Sequence, residues 1–142
     1  MTYRDDIIAR IKAINLPARE YVVIAGGSLA VHNLRAAGDI DLIVSGNLFE
    51  KLHSQGWELR PWTHKGRPGK DWLRGPDVEA YREVTMQYGT NPSFQVLVEL
   101  AEEIEGILFC SLQQLIEFKK DYGREKDLAD IALIEKFLQS SL

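Results

Sequence analysis

Tyr21-Val22-Val23-Ile24-Ala25-Gly26-Gly27-Ser28, followed by Asp39-Ile40-Asp41-Leu42, decides how this chain is read. Residues 21–25 are apolar throughout and β-rich, as in a strand buried on both faces. Gly26-Gly27 turns the chain, residues 28–37 read as a helix, and Gly38 stops it. Residues 39–45 read as a second strand. Alternation turns Ile40, Leu42 and Val44 one way and Asp39 and Asp41 the other. The order is therefore strand, glycine turn, helix, and a strand with two carboxylates on one face.

Outward from this unit the elements alternate. Residues 2–14 read as an amphipathic helix with Ile7, Ile8, Ile11 and Ile14 on one face and Thr2 as N-cap. Residues 48–54 read as a helix capped by Asn47 and stopped by Gly56, and residues 57–60 as a third strand. Residues 63–69 form a loop rich in glycine, proline and charge. Residues 78–84 alternate as a strand with Glu79, Tyr81 and Glu83 on one face, and residues 88–93 are a turn region. Residues 94–103 fit either helix or strand. Residues 107–110 are a short strand. Residues 112–122 form a helix ended by Gly123, and residues 124–138 a last helix with a Leu128, Ile131, Ile134, Leu138 stripe. The expected fold is a single α/β (α+β) domain over residues 1–142, a mixed sheet flanked by helices with a helical C-terminus.

Composition sets bounds. The 142 residues are 45% hydrophobic and 27% charged, ordinary for a globular protein. No apolar run approaches the ~20 residues of a membrane span, and the N-terminus has no signal-peptide pattern, so a cytoplasmic location without membrane contact is expected. The single Cys110 sits in an apolar stretch and reads as a core thiol. Net charge is −4, yet the segment from Arg60 to Arg74 carries +4 through Arg60, Lys65, Arg67, Lys70 and Arg74 against Asp71. That segment is a solvated loop or a patch for a polyanion.

The chemistry follows from residue types. Backbone N–H groups at a glycine turn opening a helix favour an anion, so Gly26, Gly27 and Ser28 are candidate phosphate contacts. Asp39 and Asp41 lie about 7 Å apart along one strand face, at ~3.3 Å per residue. Magnesium, with manganese as a substitute, prefers such hard oxygen ligands together with substrate phosphates. A third carboxylate from a neighbouring strand would complete the set, and Glu79 is the choice. Asp77 is its rival, but it follows Gly75-Pro76 and belongs to a turn. The set Asp39, Asp41 and Glu79 is thus both the catalytic and the metal-binding candidate. Ser28 has no Ser-His-Asp order around it, and His32, His53 and His64 match no metal spacing. Trp62 and Trp72 flank the basic loop; they either stack a base or anchor the loop.

Ala25-Gly26-Gly27-Ser28, Arg35 and Asp39-Ile40-Asp41-Leu42 resemble the glycine and paired-aspartate motifs of polymerase-beta-type nucleotidyltransferases. The run from Ile116-Glu117-Phe118-Lys119-Lys120 through Gly123-Arg124-Glu125-Lys126-Asp127-Leu128-Ala129-Asp130-Ile131 resembles the C-terminal segment of small members. These include lincosamide-type antibiotic nucleotidyltransferases and nucleotidyltransferase-like toxins of bacterial toxin–antitoxin pairs. The resemblance spans residues 20–137. It implies transfer of a nucleoside monophosphate from a nucleotide triphosphate to an acceptor hydroxyl with Mg2+, and it places Lys119 near the nucleotide. Glu79 matches the family's later-strand carboxylate. The acceptor would be a small molecule, tRNA or protein. With no separate acceptor domain in view, a homodimer would build that site between subunits. The alternatives are a non-catalytic interaction module that keeps the fold as a scaffold, or a toxin of a toxin–antitoxin pair modifying tRNA or protein, for which the +4 segment is the hint. Arg124, Lys126, Asp127 and Asp130 also fit ion pairs that pin the last helix to the one before it.

Overall fold

A computed structural model describes residues 2–64 and 68–140. Among the described residues seven strands form one mixed sheet. In chain order they are β1 (Tyr21–Ile24), β2 (Ile40–Val44), β3 (Glu58–Arg60), β4 (Trp72–Gly75), β5 (Val78–Tyr81), β6 (Glu102–Ile104) and β7 (Ile107–Phe109). Their order across the sheet is β3-β4-β5-β2-β1-β7-β6. β2 runs parallel to β5 and β1 parallel to β7, while the other pairs are antiparallel. Helices α1 (Tyr3–Ile14), α2 (Gly26–Val31), α3 (Gly46–Ser54), α4 (Phe94–Leu100), α5 (Leu112–Tyr122) and α6 (Glu125–Ser140) complete the chain. The expected α/β class with a helical C-terminus is what the chain adopts. Among the described residues no helix is long and apolar enough to cross a membrane.

Strand alternation sorts the side chains into two cores. Val23, Ile40, Leu42, Val44, Val78 and Ala80 meet Ile7, Ile8 and Ile11 of α1 and Leu48, Phe49 and Leu52 of α3 on one face. Val22 and Ile43 face the other way, toward Leu97 of α4, Leu112, Leu115 and Phe118 of α5, and Ile134 of α6. Asp41 and Glu79 share that second face, being one residue from inward-facing neighbours on each side. Cys110 is buried there, and burial pushes its thiol up to about 12.

Local chemistry sets the boundaries. Thr2 caps α1, its hydroxyl accepting the Asp5 N–H at 3.0 Å. α3 begins earlier than expected because Ser45, not Asn47, is the cap, accepting from Leu48 N. α2 is shorter than the expected 28–37. It ends at Val31, and Asn33 turns left-handed (φ 59°) while its side chain accepts the Arg4 N–H. Residues 94–103 divide: Ser93 caps α4, and the end of the stretch pairs as β6. Glu105-Gly106, both with positive φ, then turn β6 into β7. β5 stops at Tyr81 rather than reaching Val84.

Two readings need correction. Trp72–Gly75 is a strand that alternation does not announce, being four residues long with Leu73 its one buried side chain and a glycine at its end. The α6 stripe is also different: Leu128 is 58% exposed, and Asp127 and Asp130 are buried beside Ile131 and Ile134. Their carboxylates have partners inside the fold, which offsets the cost of burial.

Candidate active site

The register of four strand pairs draws one row across the second sheet face. Glu58 opposes Arg74, Arg74 opposes Glu79, Glu79 opposes Asp41, and Asp41 opposes Ile24. The structure therefore brings Asp41 and Glu79 side by side although they lie far apart in sequence. Asp77 is not in the row. It sits in the β4–β5 turn with φ 57°, and its carbonyl accepts the Ile40 N–H at 3.0 Å.

The pair is electrostatically loaded. Burial, and then the neighbouring Glu79 and Asp39 charges, push the Asp41 carboxyl up to about 7, with Lys126 opposing. Tyr81 donates its hydroxyl to Glu79 Oε1 at 3.1 Å, and burial followed by the Glu79 and Asp41 charges raises its own pKa, so it remains a donor. Arg74 bridges the remaining carboxylates: Nη2 lies 3.3 Å from Asp39 Oδ2 and Nη1 lies 3.4 Å from Glu79 Oε1. Asp39 is thus turned toward Arg74, with its side chain 48% exposed. Among the described residues no three His, Cys, Asp or Glu side chains converge to hold a metal ion. Asp41 and Glu79 are adjacent hard-oxygen groups, the ligand type that magnesium shares with phosphate oxygens.

The glycine turn has a different rationale from the one expected. A Cβ on Gly27 would fall 2.4 Å from Val23 Cγ1, so Gly27 is small because α2 packs directly on β1. Ser28 is fully buried, and its hydroxyl donates to the Val23 carbonyl at 3.1 Å. Gly26 alone of the three lines a groove, which it shares with Arg35, Asp39, Asp41, Lys119, Arg124 and Lys126. Gly27→Val is expected to cost about 2–3 kcal/mol of stability, because a stiff side chain cannot enter a packed contact. Urea unfolding checks this: a loss under about 0.5 kcal/mol would remove the packing explanation.

Lys119 is buried and held in place. Its Nζ lies 2.8 Å from Asp130 Oδ2 and 3.5 Å from Asp127 Oδ1. Arg35 grips Asp130 with two bonds of 2.8 Å, from Nε to Oδ1 and from Nη2 to Oδ2. Arg124 holds Asp127 from Nε at 2.6 Å, from its backbone N–H and from Nη2. For both aspartates burial alone would raise the pKa. The bonds and charges of Arg124 and Lys119 at Asp127, and of Arg35 and Lys119 at Asp130, outweigh it and hold both carboxyls low. Of the residues expected to pin α6 to α5, Asp127 and Asp130 do so through Lys119, while Arg124 pairs with Asp127 at the start of α6 itself; Arg35 extends the cluster to the segment that precedes β2. Sequence reasoning missed this Arg35–Asp130 clamp and the Arg74 bridge.

A second lobe adjoins the groove at Asp41 and is also lined by Glu79. It measures about 360 Å³ and is lined by Trp62, His64, Trp72, Tyr81, Phe118 and Tyr122 among others. Trp72 stacks on Tyr81 with centroids 5.4 Å apart, and Arg60 lies over Trp72 at 5.8 Å. Trp62 meets the Tyr81 edge at 6.5 Å, and the Gly69 backbone lies against its ring: a Cβ there would be 2.4 Å from Cδ2. Trp62 therefore packs against the Gly69 backbone, and Trp62, Thr63 and His64 wall the lobe. Within the basic segment Arg60 pairs with Glu58 and Arg74 with Asp39 and Glu79, while Lys65 and Arg67 lie outside the described residues. His32 bonds Glu102 at 2.9 Å, as a structural histidine would.

No protein-family model matches the chain, and neither a curated protein nor a solved structure matches it significantly.

Proposed function

We propose that the cleft transfers a nucleoside monophosphate from a nucleotide triphosphate to an acceptor hydroxyl. One observation carries the reading: Asp41, side by side with Glu79, borders both an aromatic lobe and a groove in which Arg35, Lys119, Arg124 and Lys126 stand among Asp39, Asp127 and Asp130. Asp41, Lys119, Arg124 and Lys126 border both spaces. A substrate with a flat apolar end, a polyanionic end and a reactive phosphorus between them matches this division.

In this reading the groove beside Gly26 takes the β and γ phosphates. Lys126 and Arg124 offset their charge, and Lys119 shapes the wall from its fixed place between Asp127 and Asp130. The aromatic lobe takes the planar group, for which ring stacking is worth about 1–3 kcal/mol per base. Asp41 and Glu79 would hold magnesium, with Asp39 available once Arg74 lets it go. A bound magnesium ion supplies phosphate charge neutralisation and a more acidic acceptor hydroxyl. Glu79, kept in orientation by the Tyr81 hydroxyl, is placed to accept that proton. Ser28 and Gly27 support the turn from within the core rather than touch the nucleotide.

The second reading, a scaffold without catalysis, draws on Arg74, which already neutralises part of the carboxylate cluster. Two variants separate the readings. Glu79→Gln is expected to lower magnesium-dependent turnover by about 10³-fold or more, while Asp77→Asn stays within about threefold of wild type. Turnover is followed with each labelled nucleotide triphosphate, magnesium and cell extract as the acceptor source. The opposite ranking would move the role to Asp77, and labelling that survives in both would take Glu79 out of the site.

A further inference from the structure

Arg74 is the one residue of the transverse row whose sign opposes the others. It stands across from Glu58 on one side and Glu79 on the other, and its guanidinium reaches past Glu79 to Asp39. Glu58 is engaged by Arg60 at 3.3 Å, so the Arg74 contacts run toward the candidate site. Arg74 and Tyr81 both bind the same oxygen, Glu79 Oε1. A guanidinium has five donors and no lone pair, so it competes with a metal for carboxylate oxygens and cannot join the metal's coordination sphere.

We infer that Arg74 is the resident counter-cation of the carboxylate cluster, and that a divalent cation arriving without nucleotide must displace it. This rests on the metal-dependent reading above. The fork of the guanidinium spans Asp39 and Glu79, the two carboxylates that flank Asp41 along the strand and across the sheet. With Arg74 seated, Asp39 is drawn aside and the three carboxylates do not converge. With Arg74 withdrawn, Asp39 and Glu79 become available together with Asp41. A polyphosphate ligand changes the balance, because its anionic oxygens give the displaced guanidinium a new partner. A bare metal ion offers none. Arg74 thereby couples metal binding to the presence of the anionic substrate and keeps the empty cluster from taking up divalent cations on its own.

The test is titration of Mn2+ alone into the full chain, reading free Mn2+ by electron paramagnetic resonance. Wild type, Arg74→Gln and Arg74→Lys are compared without nucleotide. Arg74 is partly exposed on β4 and outside both buried clusters, so its replacement leaves the core in place. Arg74→Gln is expected to bind Mn2+ roughly tenfold more tightly than wild type, since an opposing charge has been removed. Arg74→Lys, which keeps the charge, is expected to stay closer to wild type. Equal or weaker binding in Arg74→Gln, with wild type still binding, would overturn the counter-cation role and leave the metal site standing. A gain in Arg74→Lys as large as in Arg74→Gln would overturn it as well. No Mn2+ binding to any of the three at millimolar concentration would overturn both this inference and the metal-dependent reading.

Discussion

Asp41→Asn is expected to make the metal-free protein more stable at pH 8, by on the order of 2 kcal/mol. The reason lies in the row of side chains on β4, β5 and β2. Folding places the Asp41 carboxylate in a partly buried position beside Glu79 and near Asp39, which pushes it up to about 7 from an ordinary 3.8. The folded state then binds a proton more tightly than the unfolded state does. Stability therefore falls as pH rises from about 4 to about 7, and the full penalty applies above that range. A shift of this size corresponds to roughly 4 kcal/mol at 1.36 kcal/mol per pKa unit, and partial exposure reduces it to about half. Asparagine carries no charge and escapes the penalty. Urea midpoints of wild type and variant, measured in chelator, should differ at pH 8 and converge near pH 4. Lower stability of the variant at pH 8 would mean that the carboxylate is a net stabilising group.

Asp130→Ala is expected to act in the opposite direction, costing about 3 kcal/mol or more. Asp130 joins three parts of the chain: its own helix α6, Lys119 on α5, and Arg35 in the segment before β2. The side chains of Lys119 and Asp130 are only 9% and 8% exposed. Alanine would leave the Lys119 ammonium buried with Asp127 as its remaining carboxylate, 3.5 Å away. Truncating one partner of a buried pair costs more than the pair contributes, because the surviving charge stays desolvated. The Asp130 carboxyl is held low, so its contribution is present above the unfolded pKa and is lost as pH falls through the lower folded value. Denaturant unfolding at pH 7 and in acid checks both points. A difference under about 1 kcal/mol at pH 7 would show that the cluster relaxes around the gap.

The parts of the fold that a single sequence discloses are those built from local signals. The unit from Tyr21 to Val44 is legible because an apolar run, a glycine pair and a period-two strand each have a local signature. Gly123 and the αL turn that ends α5 are legible for the same reason. β4 is not, because Trp72-Leu73-Arg74-Gly75 becomes a strand only by pairing with β5 and β3. The pairing also creates the row containing Arg74, so the bridge to Asp39 and Glu79 could not be read before the strand was known. Arg35 and Asp130 are 95 positions apart, and no spacing rule links them. Gly27 teaches the converse. A glycine beside a helix start suggests a phosphate contact, whereas the neighbour that needs its smallness is Val23. The choice of Glu79 over Asp77 rested on strand against turn, and the structure places the two residues accordingly.

Calorimetric titration decides whether the Asp41–Glu79 pair binds a nucleotide triphosphate through a divalent cation, as proposed above. Each common nucleotide triphosphate is titrated into wild type and Asp41→Asn, with magnesium and again with chelator. Magnesium-dependent binding of at least one nucleotide to wild type is expected, weakened by about 100-fold or more in Asp41→Asn although that variant is the more stable fold. Binding that is equally strong in both proteins, or that is indifferent to magnesium, would contradict the proposal.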